Sequence, residues 1–147
     1  KKYGLPRTQA LRLAPEGHAV RLTAAAIVRL FEEAAAAGLP IMVFVGNAGC
    51  IQIHTGPVRR LVTMQEWFNV MDPDFNLHLN LQGVAEVWVT RKPTVDGIVT
   101  GLEVYDQAGE MIVQCFGKRK PGAPELEAWR DIAHSLIEQQ QIRNHAD

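Results

Sequence analysis

The chain has 147 residues, 47% of them hydrophobic and 21% charged, and a formal net charge of −1. That length supports one domain with a real core, and the composition excludes a disordered chain. Near-neutrality gives no general pull toward nucleic acid or an anionic membrane surface, and no apolar run approaches the ~20 residues of a spanning helix, so neither nucleic acid nor membrane insertion is expected.

No signal-peptide pattern is visible. Cys50 and Cys115 both fall inside strand patterns and read as small buried thiols, which suits a reducing compartment. The chain starts Lys-Lys-Tyr, without a methionine, and is expected to be a fragment or to have a start further upstream.

Taken in order, Gly4 to Ala14 reads as a short helix with Pro6 in its first turn, ended by Pro15-Glu16-Gly17. Thr23 is placed to cap a second helix over 24–37, closed by Gly38 and Pro40. Ile27, Leu30, Phe31 and Ala34 form its apolar stripe, while Arg29, Glu32 and Glu33 face water. Strands 41–45 and 50–55 flank the hairpin loop Gly46-Asn47-Ala48-Gly49, and a further strand covers 58–64. Gln65 to Asp74 reads as an irregular crossover around Pro73. Residues 75–81 alternate strictly, with Phe75, Leu77, Leu79 and Leu81 on one face and Asn76, His78 and Asn80 on the other.

Val84 to Lys120 carries three strand patterns, VAEVWVTRK, IVTGLEVY and MIVQCFGKRK, rich in β-branched and aromatic residues. They are joined by Pro93-Thr94-Val95-Asp96-Gly97 and by Asp106-Gln107-Ala108-Gly109, so they form an up-down-up meander. After Pro121-Gly122-Ala123-Pro124 a closing helix spans 125–141, with Leu126, Trp129, Ile132, Ala133, Leu136 and Ile137 on its stripe. The whole is an α+β domain over 1–147, with a large antiparallel sheet of about seven strands, N-terminal helices and a C-terminal helix.

The meander has a geometric consequence. The ends of its first and third strands lie at one rim, roughly 10 Å apart at ~4.8 Å per strand. Arg91, Lys92, Lys118, Arg119 and Lys120 meet there, five of the chain's 15 Lys and Arg. Lysine at a sheet edge also deters edge-to-edge pairing, which is the plainer account of any one of these residues. The cluster has aromatic and amide neighbours, however. Trp88 and Thr90 share the face of Lys92, and Gln114 shares a face with Phe116. A bulge at Gly117 would turn Arg119 to the side of Phe116. A flat apolar surface edged by cations suits a flat apolar ligand with carboxylates, held by charge-assisted hydrogen bonds. Heme is such a ligand.

No nucleophile–base pair, phosphate loop or dinucleotide fingerprint appears, and the five histidines lack metal-type spacing. His54 and His78, the two within strands, are candidate iron ligands, although each also reads as a hydrogen-bonded structural histidine.

The segments GNAGCIQIHTGPV (46–58), WFNVMDPDFNLHL (67–79), VWVTRKPTVDGIVTGLEVYD (87–106) and QCFGKRKPGAPELEAWRD (114–131) resemble the hemin-degrading factor family, the HemS/ChuS type. Its members are bacterial cytoplasmic proteins that bind imported heme, pass it on or break it open. They are tandem duplications, and this chain resembles the C-terminal half from about Leu5 to the final helix. The resemblance implies heme contacts at Lys92, Gln114, Phe116 and Arg119, with Phe116 standing where some members have tyrosine. It also implies an axial histidine upstream of residue 1, and a partner that is either the missing N-terminal half or, in a homodimer, a second copy. Three functions fit: heme binding and trafficking, heme degradation, or a non-catalytic interaction or dimerisation half-domain that has lost its axial ligand.

Overall fold

The computed structural model describes residues 19–47, 50–73, 75–95, 97–118 and 125–146. The expected Gly4–Ala14 helix lies outside them. The described chain runs β1 (Ala19–Leu22), α1 (Ala25–Ala37), β2 (Ile41–Asn47), β3 (Cys50–Gly56), β4 (Leu61–Met64), β5 (Trp67–Asp72), β6 (Phe75–Asn80), β7 (Glu86–Thr94), β8 (Gly97–Tyr105), β9 (Met111–Gly117) and α2 (Glu127–Ala146). The α+β class and the large antiparallel sheet are as expected. The strands divide into a six-stranded sheet, ordered β1-β7-β8-β9-β2-β3, and a three-stranded sheet, β4-β5-β6.

The meander β7-β8-β9 forms the middle of the large sheet. Its first turn is shorter than the sequence suggested, because β7 continues through Pro93 to pair Thr94 with Gly97. Among the described residues β1 pairs with β7 from Val87 to Thr90. In the second turn Asp106 Oδ1 accepts the N–H groups of Ala108 (2.9 Å) and Glu110 (3.0 Å), and Gly109 supplies a φ of 81°.

The N-cap of α1 is Ala24, itself in helical conformation, and not the expected Thr23, whose carbonyl accepts the Ala26 N–H at 3.0 Å. Gly38 closes it in the left-handed conformation, φ 62°. The stripe Ile27, Leu30, Phe31 and Ala34 is fully buried. α2 starts two residues later than expected and runs on to Ala146. Leu126 precedes the helix and is exposed, whereas Trp129, Ile132, Ala133, Leu136 and Ile137 are buried.

The segment expected as an irregular crossover is a strand. β4 and β5 form a tight hairpin that pairs Met64 with Trp67 across Gln65-Glu66, with Gln65 at φ 56°. Asp72, buried on the inner side of β5, accepts the N–H groups of Arg59 (3.0 Å) and Arg60 (2.8 Å). Those bonds serve the backbone just before β4, where the expected 58–64 strand is shortened to 61–64.

One core joins both sheets. It takes Val43, Cys115, Leu102, Val104, Val113, Val87 and Val89 from the large sheet, the apolar stripes of α1 and α2, and Phe68, Val70, Phe75, Leu77 and Leu79 from the small one. The Phe31 and Phe68 rings meet at 5.5 Å, which seats α1 on the small sheet. Because side chains alternate along a strand, the opposite face of the large sheet is left without a helix against it among the described residues.

Candidate functional site

The register fixes what shares that opposite face. One row across four strands is Trp88, Glu103, Gln114 and Phe44; the next is Thr90, Gly101, Phe116 and Met42. Lys92 pairs with Val99 in the following row, and Lys118, whose N–H donates to the Pro40 carbonyl at 3.4 Å, follows the end of β9. Lys92 on β7 and Lys118 just after β9 stand at the same end of the sheet. Arg91 belongs to the other face and lines a separate hollow with Ile98, Thr100, Arg130, Asp131 and His134. Arg119 and Lys120 lie outside the described residues.

An apolar pocket of about 250 Å³ occupies the face, lined by Met42, Phe44, Val99, Phe116 and Gly117. The Phe44 and Phe116 rings meet edge to face, centroids 6.0 Å apart at 81°. Gly101 makes room for this arrangement: a Cβ there would stand 2.8 Å from Phe116 Cε1. Gly117 has a different task from the expected bulge. It keeps regular pairing with Ile41, and a Cβ on it would stand 2.6 Å from Trp129 Cγ, so it lets α2 close on the core side. Trp129 Nε1 donates to the Thr100 carbonyl at 2.8 Å, and Glu125 Oε1 accepts the Thr100 N–H at 2.7 Å, satisfying β8 where β9 has ended.

Beside the pocket is a polar group the sequence reading passed over. Glu103 is fully buried. Its Oε1 accepts the Tyr105 hydroxyl at 2.5 Å, and its Oε2 lies 3.5 Å from Gln114 Nε2 and 4.0 Å from Lys92 Nζ. Two of the expected contact residues thus converge on one carboxylate oxygen. The signal was present: Glu103 is a charge at the centre of the apolar run IVTGLEVY, and burying a charge there requires partners.

The structure brings Lys92, Gln114 and Phe116 together and leaves the histidines elsewhere. His54 points to the core side, stacked on Phe75 (4.3 Å, 9°) with Nε2 3.3 Å from the Pro57 carbonyl. That stack ties β3 to β6. His78, on the small sheet, has Nδ1 2.8 Å from Asn69 Oδ1. Among the described residues no group of three or more His, Cys, Asp or Glu is placed to hold a metal ion, and no helix is long and apolar enough to cross a membrane. Cys115 lies in the core, where burial pushes its thiol up to about 12.

The haemin-degrading HemS.ChuX domain matches residues 4–136. The chain belongs to this family. The hemin transport protein HemS of Yersinia enterocolitica is 41% identical over 131 residues, covering 89% of this chain and 38% of HemS. Holo-PhuS, a heme-binding protein from Pseudomonas aeruginosa, is 60% identical with a TM-score of 0.88, over 92% of this chain and 39% of PhuS. ChuS, an E. coli heme oxygenase, is 45% identical with a TM-score of 0.85, over 90% of this chain and 41% of ChuS. The chain spans about two fifths of the length of these relatives. The matched residues 4–136 take in both sheets and the first half of α2, and so the strands that carry Lys92, Gln114 and Phe116.

Proposed function

We propose that this chain is a heme-binding domain of bacterial heme acquisition, equivalent to the C-terminal half of a tandem protein, and that it holds hemin on the face of its large sheet that carries Phe44 and Phe116. Heme is its ligand and cargo. Phe116 and Gln114 line the ring, and Lys92 and Arg119 hold the propionates by charge-assisted hydrogen bonds. The observation that carries this reading is the aromatic pocket of Phe44 and Phe116, set beside Lys92 and Gln114 on the face opposite α1 and α2. The chemistry fits: the pocket takes an apolar ring, and the cations stand at one end, where a ligand with carboxylates on one edge would place them.

The iron ligand in this reading comes from outside the described residues, since His54 and His78 are engaged elsewhere. The partner that completes the site is a preceding half of the same polypeptide or a second copy in a two-fold dimer, because an isologous contact needs one self-complementary patch. The protein acts in the cytoplasm, passing heme on after uptake. Hemin titration followed in the Soret band tests binding: a saturable shift is expected, and its absence would remove this function.

Degradation is the second reading, favoured by the 45% identity to ChuS, described as a heme oxygenase. Here the protein's share is to bind and orient the macrocycle, while ring opening by oxygen and a reductant belongs to the heme itself. Ascorbate added to the hemin complex in air separates the two readings. Loss of the Soret band with a biliverdin-like product means degradation, and a stable band means carriage.

A further inference from the structure

We propose that Ile53, on the edge strand β3, is a further heme-contacting and specificity-determining residue. It carries the apolar edge of the ring opposite the propionates and so favours porphyrins with vinyl groups there. The inference rests on the proposed heme-binding face.

β2 and β3 pair Phe44 with Ile53, so the two side chains stand side by side on one face. The row Trp88, Glu103, Gln114 and Phe44 therefore continues to Ile53 at the margin of the large sheet. His54, the next residue, turns to the core and is buried, as alternation requires. Ile53 itself is 60% exposed. A single exposed isoleucine means little by itself. Its place gives it meaning, because it extends the apolar pocket of Phe44 and Phe116 by one strand.

The register also sets Lys92, Phe116 and Ile53 on one diagonal of the sheet. Each step crosses two strands and moves two residues along, about 12 Å at ~4.8 Å per strand and ~3.3 Å per residue. Phe116 lies midway. Lys92 folds inward from its end of the diagonal, with Nζ 4.0 Å from Glu103 Oε2, which brings the ammonium closer to Phe116. A flat ring that is tied by its carboxylates to Lys92 and seated on Phe116 lays its far edge toward Ile53. In hemin that far edge carries vinyl and methyl groups, which gain by covering an apolar side chain.

The test titrates the full chain, and its Ile53→Ala and Ile53→Leu variants, with hemin and with ferric deuteroporphyrin. The second porphyrin keeps both propionates and has hydrogen in place of the vinyl groups. The parent should bind hemin several-fold more tightly. Covering two of the three carbons that Ile53→Ala removes is worth roughly tenfold, so this variant should bind hemin about tenfold more weakly. Its affinity for ferric deuteroporphyrin should change by less than about threefold. Ile53→Leu keeps the apolar area and should stay within about threefold of the parent for both. Unchanged hemin affinity in Ile53→Ala would overturn the proposal. So would equal affinities of the parent for the two porphyrins, whether or not either variant folds. An equal loss for both porphyrins in Ile53→Ala, with a lower mass by light scattering, would mean that a protein partner and not the ring covers Ile53, which also overturns it. A parent that binds neither porphyrin removes the heme-binding reading itself, which is a different result from binding both alike.

Discussion

The ring of Phe116 lies over Gly101 so closely that a Cβ on the glycine would stand 2.8 Å from Cε1 and 3.3 Å from Thr90 Oγ1 to Gly101's other side. The glycine in the middle of β8 is thus the seat of an aromatic residue on β9, and the pocket depends on it. Gly101→Ala should push Phe116 off the face. Overpacking of this kind costs about 1–3 kcal/mol. The expected result is weaker hemin binding with the far-UV spectrum retained; unchanged affinity would mean that Phe116 does not line the ring.

Trp129 makes the corresponding contact on the core side, with its indole N–H on the Thr100 carbonyl. Trp129→Phe keeps most of the apolar area and leaves that carbonyl without its donor. A loss of about 1–3 kcal/mol is expected. Urea unfolding checks it: the midpoint should fall with the m-value unchanged. A midpoint equal to the parent's would show that Thr100 has no need of the indole.

Burial raises the Cys115 thiol from its ordinary 9.0 to about 12. Below pH 9 the thiol is protonated in the folded and the unfolded chain alike, so it adds no pH dependence there. From 9 to 12 only the unfolded chain loses the proton, so stability falls as pH rises, by up to about 1.4 kcal/mol per unit. The difference in unfolding free energy between a Cys50→Ser chain and its Cys115→Ala derivative should follow this slope above pH 9. At pH 8.5 the native Cys50→Ser chain should resist thiol reagents and react on unfolding in urea. Rapid labelling of the native chain would contradict the burial of Cys115.

Much of this fold was legible in the sequence where side-chain period and turn chemistry agree. The meander announces itself by β-branched runs and by the Asp106–Gly109 turn, and α1 by its stripe and by Gly38. β5 did not. Its turn, Gln65-Glu66, holds no glycine or asparagine although Gln65 takes a positive φ, and its buried positions include Asn69 and Asp72, which break the apolar alternation. Both polar residues are buried because they serve backbone groups: Asn69 Nδ2 donates to the Val62 carbonyl at 3.1 Å, and Asp72 accepts the two arginine N–H groups. Such partners are far apart along the chain and are invisible to a local pattern. Period two also set Lys92, Trp88 and Thr90 on one face and placed Arg91 on the other, a distinction blurred by counting all the cations at one rim. Phe44 and Met42 entered the site only through the pairing of β2 with β9, which no local signal specifies.

The assignment of Lys92 and Arg119 to the propionates is tested most directly by hemin titration of the parent, of Lys92→Ala and of the Lys92→Ala/Arg119→Ala double variant. Removing one charge-assisted bond should weaken binding by about 1.5–3 kcal/mol, or roughly 10- to 150-fold. The double variant should be weaker still; because Lys92 is the ion-pair partner of buried Glu103, the titrations are compared at a temperature where each variant is folded by far-UV circular dichroism. A double variant that binds hemin as tightly as the parent would contradict the placement of heme on this face.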